Sequence, residues 1–362
     1  MNKAPLLLNP GPVTLSERVR NALLKADLCH REPEFAELVR GVRAKLSHVY
    51  ATESCYEPVL LTGSGTAAVE AMLQTFCPVD RPVLVLTNGV YGERMAAMLA
   101  AQGKPHEILR AEWLSGIDLN GVARILSGGK FAYMLCVHHE TTTGRLNDLP
   151  GLQTLAQQLK VPILLDCVSS FGGEQVNFDS ASIVAVAGTA NKCLHSVPGV
   201  SFVIATKHLL ESASHSRSLY FDLVLYARQQ QGGFSPFTQA VHAVYALSDA
   251  MDEFFEQGGV AARSADYYKK SRYVVEELQK QGIQTLLPEA SAYSGVLVSF
   301  HVPRWTSYEK LHTYLKKNGF VIYAGQGSFE GEIFRIAVMG AVRMQDLERL
   351  VTLFAEFRKQ NA

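Results

Sequence analysis

The sequence lacks the features of a secreted or membrane-inserted protein. Its six cysteines are scattered without a CxxC pair, which favours free thiols in a reducing cytosol over a disulfide framework. The N-terminus has an apolar run of only three leucines before its prolines, too short for a signal peptide. No run reaches about 18 apolar residues, the length that a membrane-spanning helix needs. We therefore expect a soluble, cytoplasmic protein.

An excess of charge is also missing. The 34 Lys and Arg residues balance 34 Asp and Glu residues, so no global field would recruit nucleic acid or an anionic membrane. The sequence has neither the Lys-Ser/Thr of a P-loop nor the three-glycine dinucleotide fingerprint, which argues against a nicotinamide dehydrogenase. We expect small molecules as partners, with no nucleic acid and no membrane.

What the chain does have is an alternation of strands and helices. With 362 residues, 48% of them hydrophobic, it can bury a large core and exceeds the usual size of one domain. Continuous apolar runs alternate with amphipathic helical patterns up to Asp166, which predicts a mostly parallel sheet between helices. Beyond Asp166, "SIVAVAG" and "GVSFVIA" are about ten residues apart, which suits a hairpin and hence one antiparallel strand.

The pattern changes again near residue 255. A long charged helical stretch is followed by short strands, two helical patterns and a final amphipathic helix. This predicts a large domain over residues 21–255 and a small α+β domain over residues 256–362.

Polar residues end the apolar runs, at the edge where open α/β sheets bind ligands. The loop "TGSGT" places Ser64, Gly65 and Thr66 between a strand and a helix, so its N–H groups suit a single phosphate, although such turns are often only structural. Asp166 ends "VPILLD", and a buried carboxylate needs either a cap-like hydrogen bond or a cation such as a protonated heteroaromatic nitrogen.

Three further strand ends carry chemistry. Tyr91 in "NGVYGER" can offer a ring face to a planar ligand or pack within its loop. "HHETTTG" offers threonine hydroxyls; its adjacent histidines point to opposite faces, so we expect no joint metal site. Lys192 interrupts the apolar run around "GTANK". A phosphate loop, an aromatic face, hydroxyls, a buried aspartate and a lysine together are the parts that hold pyridoxal phosphate.

These segments resemble the class V, fold-type I pyridoxal-phosphate aminotransferases, and within that class they are most similar to the 2-aminoethylphosphonate:pyruvate transaminases. The resemblance covers nearly the whole chain. The segments that carry it include "LLLNPGPVT", "LLTGSGTAAVEAML", "HETTTG", "DCVSSFGGE", "ANKCLHSVPG", "HSRSL" and "FRIAVMG". It implies an α/β fold with a seven-stranded, mostly parallel mixed sheet, the small C-terminal domain, and an N-terminal arm over residues 1–20 that closes the active site.

The resemblance also implies roles for single residues. Lys192 would be the Schiff-base lysine and proton shuttle, and Asp166 would pair with the pyridine nitrogen. Tyr91 would stack on the ring and Thr141 would donate to its phenolic oxygen. The phosphate contacts would be Ser64, Gly65, Thr66, Asn191 and, from a neighbouring subunit of a homodimer, Thr238.

On the substrate side, the resemblance implies that Arg335 grips a carboxylate, that Gly11 lies in the closing arm, and that Arg217 is a candidate for the phosphonate. The expected reaction moves the amino group of 2-aminoethylphosphonate to pyruvate, giving phosphonoacetaldehyde and L-alanine. The alternative is another transaminase of the class, of the alanine:glyoxylate or serine:pyruvate type. A cysteine desulfurase is disfavoured because no cysteine follows Cys193, and a cofactor-binding regulator because no effector domain is present.

Overall fold

A computed structural model describes residues 4–361 of the chain. Residues 1–3 of the predicted arm and residue 362 of the predicted small domain lie outside the described residues. In chain order the strands are β1 (Leu6–Leu7), β2 (Tyr56–Gly63), β3 (Val83–Thr87), β4 (His106–Arg110), β5 (Met134–Val137), β6 (His139–Glu140), β7 (Arg145–Leu146), β8 (Ile163–Asp166), β9 (Ile183–Thr189), β10 (Gly199–Thr206), β11 (Leu297–His301), β12 (Phe320–Val321), β13 (Tyr323–Ala324) and β14 (Ile333–Ala337).

The rest of the regular secondary structure is helical. The α-helices are α1 (Glu17–Ala22), α2 (Pro33–His48), α3 (Gly65–Phe76), α4 (Val90–Ala101), α5 (Leu119–Leu126), α6 (Leu149–Leu159), α7 (Lys207–Glu211), α8 (Leu223–Gln230), α9 (Val241–Glu256), α10 (Gly259–Lys280), α11 (Tyr308–Lys317) and α12 (Met344–Asn361). Within residues 4–361, no helix combines the length and apolarity needed to cross a membrane.

The main sheet has seven strands in the order β2-β10-β9-β8-β5-β3-β4. Only β10 runs against its neighbours: it pairs antiparallel with both β2 and β9, while the other pairs are parallel. This confirms the predicted mixed sheet and its single reversed strand. The six parallel strands consequently end at one common edge.

The sheet is buried on both faces, which explains its continuous apolar strands. Successive side chains of a strand point to opposite faces. In β3, Leu84 and Leu86 pack into one hydrophobic core, and Val83 and Val85 pack into the other. Because helices cover both cores, the carboxyl ends of the strands are the part of this layer that can bind a ligand.

The C-terminal part has a sheet of its own. Strands β11, β14 and β13 form an antiparallel sheet, and their side chains share a separate core with α10, α11 and α12. The N-terminal segment belongs to this core, because β1 pairs parallel with β12 and Leu8 and Val13 pack inside. The domain boundaries at residues 20 and 255 stay predictions.

Candidate active site

The parallel strands end around a cavity of about 220 Å³. Two residues of the small sheet's side, Tyr323 and Gln326, also line it. Chain segments far apart in sequence therefore meet here, as the strand-end rule predicts. The lining includes eight residues selected from the sequence: Gly11, Ser64, Gly65, Thr66, Tyr91, Asp166, Asn191 and Lys192.

Lys192 lies in the turn between β9 and β10 and is half-buried. Its carbonyl accepts a hydrogen bond from His195 N at 2.9 Å, which closes the turn. Its Nζ lies 5.7 Å from the centroid of the Tyr91 ring. Gly11 packs on its stem: a Cβ at this position would lie 3.0 Å from Lys192 Cγ, and the φ of +109° favours glycine. The amine therefore projects beside an aromatic face, with its stem held by the arm.

Asp166 is the last residue of β8 and is 6% exposed. Its Oδ1 accepts a hydrogen bond from Val168 N at 2.8 Å. Burial raises the pKa of Asp166, while this bond and the charges of Lys192 and Arg94 act in the opposite direction. Among residues 4–361, no hydrogen bond reaches Oδ2, which leaves one carboxylate oxygen for a further donor.

The loop that joins β2 to α3 presents backbone N–H groups to the cavity. Ser64 is the N-cap residue of α3 in an extended conformation, and its side chain makes no capping hydrogen bond. The positive end of this helix and the adjoining hydroxyl of Thr66 are suited to an anion. Arg94 Nη1 lies 3.5 Å from Thr66 Oγ1 and adds a positive charge to the loop. Asn191 also lines the cavity, and its Oδ1 accepts from Thr189 Oγ1 at 2.8 Å.

Tyr91 lies in the first turn of α4 and lines the cavity with a half-buried ring. Besides the amine of Lys192, the guanidinium of Arg94 lies over the ring, with its Cζ 4.8 Å from the centroid. Two cations thus lie near one phenol, which gives the ring electrostatic partners within the site.

Thr141 is buried beside the site without lining the cavity. Its Oγ1 has no hydrogen-bond partner among the described residues. Its carbonyl oxygen accepts a hydrogen bond from Arg335 Nη1 at 2.7 Å. A buried hydroxyl without a partner is costly, so this one is available to a ligand.

Arg335, on β14, is fully buried. Its Nε and Nη2 donate to Ala324 O at 2.9 and 2.6 Å, and Nη1 donates to Gln326 Oε1 at 3.3 Å. Its Cζ also lies 4.8 Å from the centroid of the Tyr323 ring. Burial lowers the pKa of Arg335. In the part of the chain that the structure describes it forms no ion pair; carbonyl dipoles, the Tyr323 ring and the nearby charge of Glu140 act on the guanidinium instead.

Two predicted residues lie elsewhere. Thr238 is exposed, and its Oγ1 is 3.5 Å from His30 Nε2; its expected role in a neighbouring subunit stays a prediction.

Arg217 is exposed near Lys104. Burial lowers the pKa of Lys104, and the charge of Arg217 lowers it further. Lys104 precedes β4, at the amino end of the strands. Within one chain Arg217 is therefore at the end of the sheet opposite to Asp166, and its contact with the phosphonate stays a prediction.

Sequence reasoning missed other parts of the site. Arg94 was in the motif around Tyr91 and lies three residues later, a spacing that puts both side chains on one helix face. Glu140 lies between two histidines and three threonines just after an apolar strand, and a carboxylate buried there needs hydrogen-bond partners. Tyr323 and Gln326 had no local signal, because they reach the cavity from the other sheet.

The residues present fit pyridoxal phosphate. The loop from Ser64 to Thr66 at a helix N-terminus suits a phosphate, and Tyr91 offers an aromatic face. Asp166 keeps one oxygen for a ring N–H, and the partnerless hydroxyl of Thr141 can donate to a ring oxygen. The amine of Lys192 is in the same cavity for covalent attachment.

Comparison with known proteins agrees with this fit. The family model described as aminotransferase class-V matches residues 17–349. The chain is 36% identical over 360 residues to a 2-aminoethylphosphonate–pyruvate transaminase of Vibrio cholerae, covering 97% of each chain. It is 35% identical over 357 residues to a protein of the same name from Bacillus cereus, again covering 97% of each.

Solved structures share the fold. An aspartate aminotransferase of subgroup IV from Thermus thermophilus has a TM-score of 0.89 and 26% identity, covering 99% of this chain and 100% of that one. An alanine–glyoxylate aminotransferase from Nostoc has a TM-score of 0.90 at 23% identity, covering 98% and 96%. The chain therefore belongs to the class-V aminotransferases, fold-type I enzymes that use pyridoxal 5′-phosphate.

Proposed function

We propose that this enzyme transfers the amino group of 2-aminoethylphosphonate to pyruvate, yielding phosphonoacetaldehyde and L-alanine. The support is similarity along the whole chain: relatives with that activity in their names are 35–36% identical over 96–97% of it. The observation that carries the chemistry is the shared cavity of Lys192, Asp166 and the loop from Ser64 to Thr66.

In this proposal, Lys192 Nζ would attach the cofactor and the unbonded carboxylate oxygen of Asp166 would accept the N–H of its pyridine ring. Tyr91 would stack on the ring and Thr141 would donate to the phenolic oxygen. The N–H groups after Ser64 would bind the phosphate, assisted by Thr66, Asn191 and the charge of Arg94. When bound, pyridoxal phosphate supplies an aldehyde that accepts amines and a ring that takes up electrons.

Lys192 also moves the proton. With the cofactor bound, Lys192 Nζ would be the base that takes a proton from the amine-bearing carbon of the donor. Its stem is packed against Gly11, so the amine swings within a narrow space between the arm and Tyr91. The ionised form of Asp166 would keep the ring nitrogen protonated, because an opposite charge next to a buried carboxylate stabilises both groups.

Arg335 is proposed to bind the carboxylate of pyruvate or alanine. It is fully buried without a carboxylate partner among the described residues, and a planar guanidinium pairs well with a carboxylate. Gln326, which lines the cavity, accepts one of its N–H groups and so links it to the substrate space. We further propose that Thr238 reaches the phosphate of the neighbouring subunit's cofactor, which requires a homodimer.

A panel of amine donors tests the reaction. The purified holoenzyme is given 2-aminoethylphosphonate, serine, alanine or phosphoserine, with pyruvate (or, for alanine, glyoxylate) as acceptor, and kcat/KM is measured. We expect the phosphonate to give the highest value. A preference for an α-amino acid would overturn the proposal in favour of an alanine:glyoxylate or serine:pyruvate type.

The attachment of the cofactor is tested at Lys192. Borohydride reduction of the holoenzyme should fix the cofactor on the peptide that contains Lys192, as seen by mass spectrometry. Lys192→Ala should lose at least about a thousandfold in kcat, because it removes both the attachment and the base. Lys130→Ala, which removes an exposed lysine paired with Glu107, is the control and should keep its activity. Label on any other lysine would refute the assignment.

A further inference from the structure

Glu140 is a fully buried carboxylate next to the candidate site. It does not line the cavity, and within residues 4–361 it forms no ion pair. A buried carboxylate without a cation must be stabilised by several hydrogen bonds. The groups that provide them show what Glu140 connects.

Its two oxygens accept four hydrogen bonds. Oε2 accepts from Tyr91 N at 3.2 Å and from Gly92 N at 3.4 Å. Oε1 accepts from Thr142 N at 3.1 Å and from Thr142 Oγ1 at 2.6 Å. The same hydroxyl accepts from Val90 N at 3.0 Å. The first three N–H groups of α4 are thus satisfied by Glu140 and Thr142, so a remote carboxylate takes the place of an N-cap side chain.

The approach of Glu140 depends on Gly89, the residue before α4. Gly89 has no side chain, and a Cβ there would lie 2.3–2.7 Å from the Glu140 carboxyl group and its Cγ. Its φ of 174° is extended backbone that any residue adopts, so the requirement is one of space. The absence of a side chain at Gly89 therefore lets the Glu140 carboxyl group approach the start of α4.

Glu140 also connects the chain segments of Thr141 and Tyr91. The next residue, Thr141, carries the partnerless buried hydroxyl, and its carbonyl binds Arg335. The backbone of Tyr91 is bonded directly to Glu140. One side chain therefore joins the segment that carries the aromatic face to the segment that carries the hydroxyl.

We propose that Glu140 is a positioning residue that holds Tyr91 and Thr141 in fixed relation, so that the ring stack and the phenolic-oxygen donor engage one cofactor together. This rests on the proposed cofactor roles of Tyr91 and Thr141. Glu140 acts through these residues and touches no reacting atom. Its charge is needed: all four partners donate, whereas an amide would turn one of its two ends into a donor facing another donor.

The first test compares two buried carboxylates. Glu140→Gln should weaken cofactor binding by at least about tenfold and change the visible circular dichroism of the bound cofactor. The matched control is Glu174→Gln. Glu174 is 3% exposed and accepts from Ser294 Oγ at 2.5 Å and Gly295 N at 2.8 Å, away from the cavity. We expect both variants to lower the Tm of the apoenzyme and only Glu140→Gln to change cofactor affinity and dichroism.

A milder pair of variants covers the case in which Glu140→Gln fails to fold. Thr142→Val keeps the shape of the side chain but removes the hydroxyl between Glu140 and Val90, and should weaken cofactor binding by about threefold or more. Thr142→Ser restores the hydroxyl and should bind within about twofold of the wild type.

Cofactor affinity and dichroism equal to wild type in Glu140→Gln would overturn the inference and leave Glu140 with a purely structural role. Equal affinities of Thr142→Val and Thr142→Ser would do the same. Failure of the proposed reaction gives a different result: the wild type would bind the cofactor normally but prefer another donor.

Discussion

Gly65 shows how one absent side chain shapes the phosphate loop. A Cβ at this position would lie 2.5 Å from Val168 Cγ1 and 3.2 Å from Thr189 Cβ. Val168 is the residue whose N–H binds Asp166, so the loop and the carboxylate turn are in direct contact. The glycine lets the start of α3 approach the ends of β8 and β9, which brings the proposed phosphate and ring contacts within one ligand's reach.

Gly65→Ala should therefore weaken cofactor binding by at least about tenfold, because its methyl group must displace Val168 or the loop. Gly41→Ala is the control: it lies inside α2, with nothing within 4 Å of the added Cβ. We expect this control to stabilise the protein by about 0.5–1 kcal/mol through helix propensity. Titration of both apoenzymes with the cofactor measures the two affinities. Unchanged affinity in Gly65→Ala would show that the loop can move aside.

A site residue can be predicted from the sequence when its neighbours along the chain indicate its role. Lys192 and Asp166 end apolar strands, and the strand-end rule places them at one edge before any coordinates are known. Glu140 could not be assigned, because its role depends on the N-terminus of a helix about 50 residues earlier in the chain. Arg217 was selected by motif resemblance alone, and the fold puts it beside Lys104 at the other edge.

The strands differ in how clearly the sequence shows them. Buried β3 (VLVLT) and β5 (MLCV) are continuous apolar runs of the kind that predicts the sheet. Edge strand β4, with the sequence HEILR, is only partly buried, and its mixed polar and apolar residues give no such signal. The other edge strand, β2, is mostly buried and contains the apolar run VLL, because α8 packs against it.

Gln230 of α8 hydrogen-bonds to the outer edge of β2, the edge that does not face β10. Its Oε1 accepts from Leu60 N at 2.9 Å and its Nε2 donates to Leu60 O at 2.7 Å, so a side-chain amide replaces a neighbouring strand. Gln230→Met should lower the free energy of unfolding by about 2–5 kcal/mol, because two buried backbone groups lose their partners. Urea unfolding measures this loss of unfolding free energy. Gln229→Met, at the adjacent exposed position, should stay within about 0.5 kcal/mol of wild type; similar losses in both would contradict the edge role.

At the scale of the whole molecule, the buried imidazoles of His138 and His139 resist protonation. Burial lowers the pKa of His138 to about 4 and that of His139 to about 3, and the charge of Lys192 adds to the effect on His139. In the unfolded chain both would titrate near 6.5. Between these values only the unfolded chain binds the protons, so stability is complete above about pH 6.5 and is lost as the pH falls towards 4 and 3.

At about pH 5 each histidine should therefore cost about 2 kcal/mol of unfolding free energy relative to neutral pH. Urea unfolding at about pH 7.5 and about pH 5 measures the difference. His139→Asn removes one titrating group and should show about 2 kcal/mol less pH dependence than the wild type, whatever its stability at neutral pH. An identical pH dependence in the variant would mean that folding does not lower the pKa of His139.

The pairing of β1 with β12 ties the N-terminal segment to the C-terminal strands. Leu8 N donates to Val321 O of β12 at 2.8 Å, and Ala337 N of β14 donates to Leu8 O at 2.8 Å, so Leu8 is bonded to two C-terminal strands. Three residues later, Gly11 presses on the stem of Lys192. Because Leu8 is bonded to both segments, an outward displacement of β12 and β14 would also draw Gly11 away from Lys192, and their return would bring it back. The contact of Gly11 with the lysine stem therefore depends on the position of these C-terminal strands.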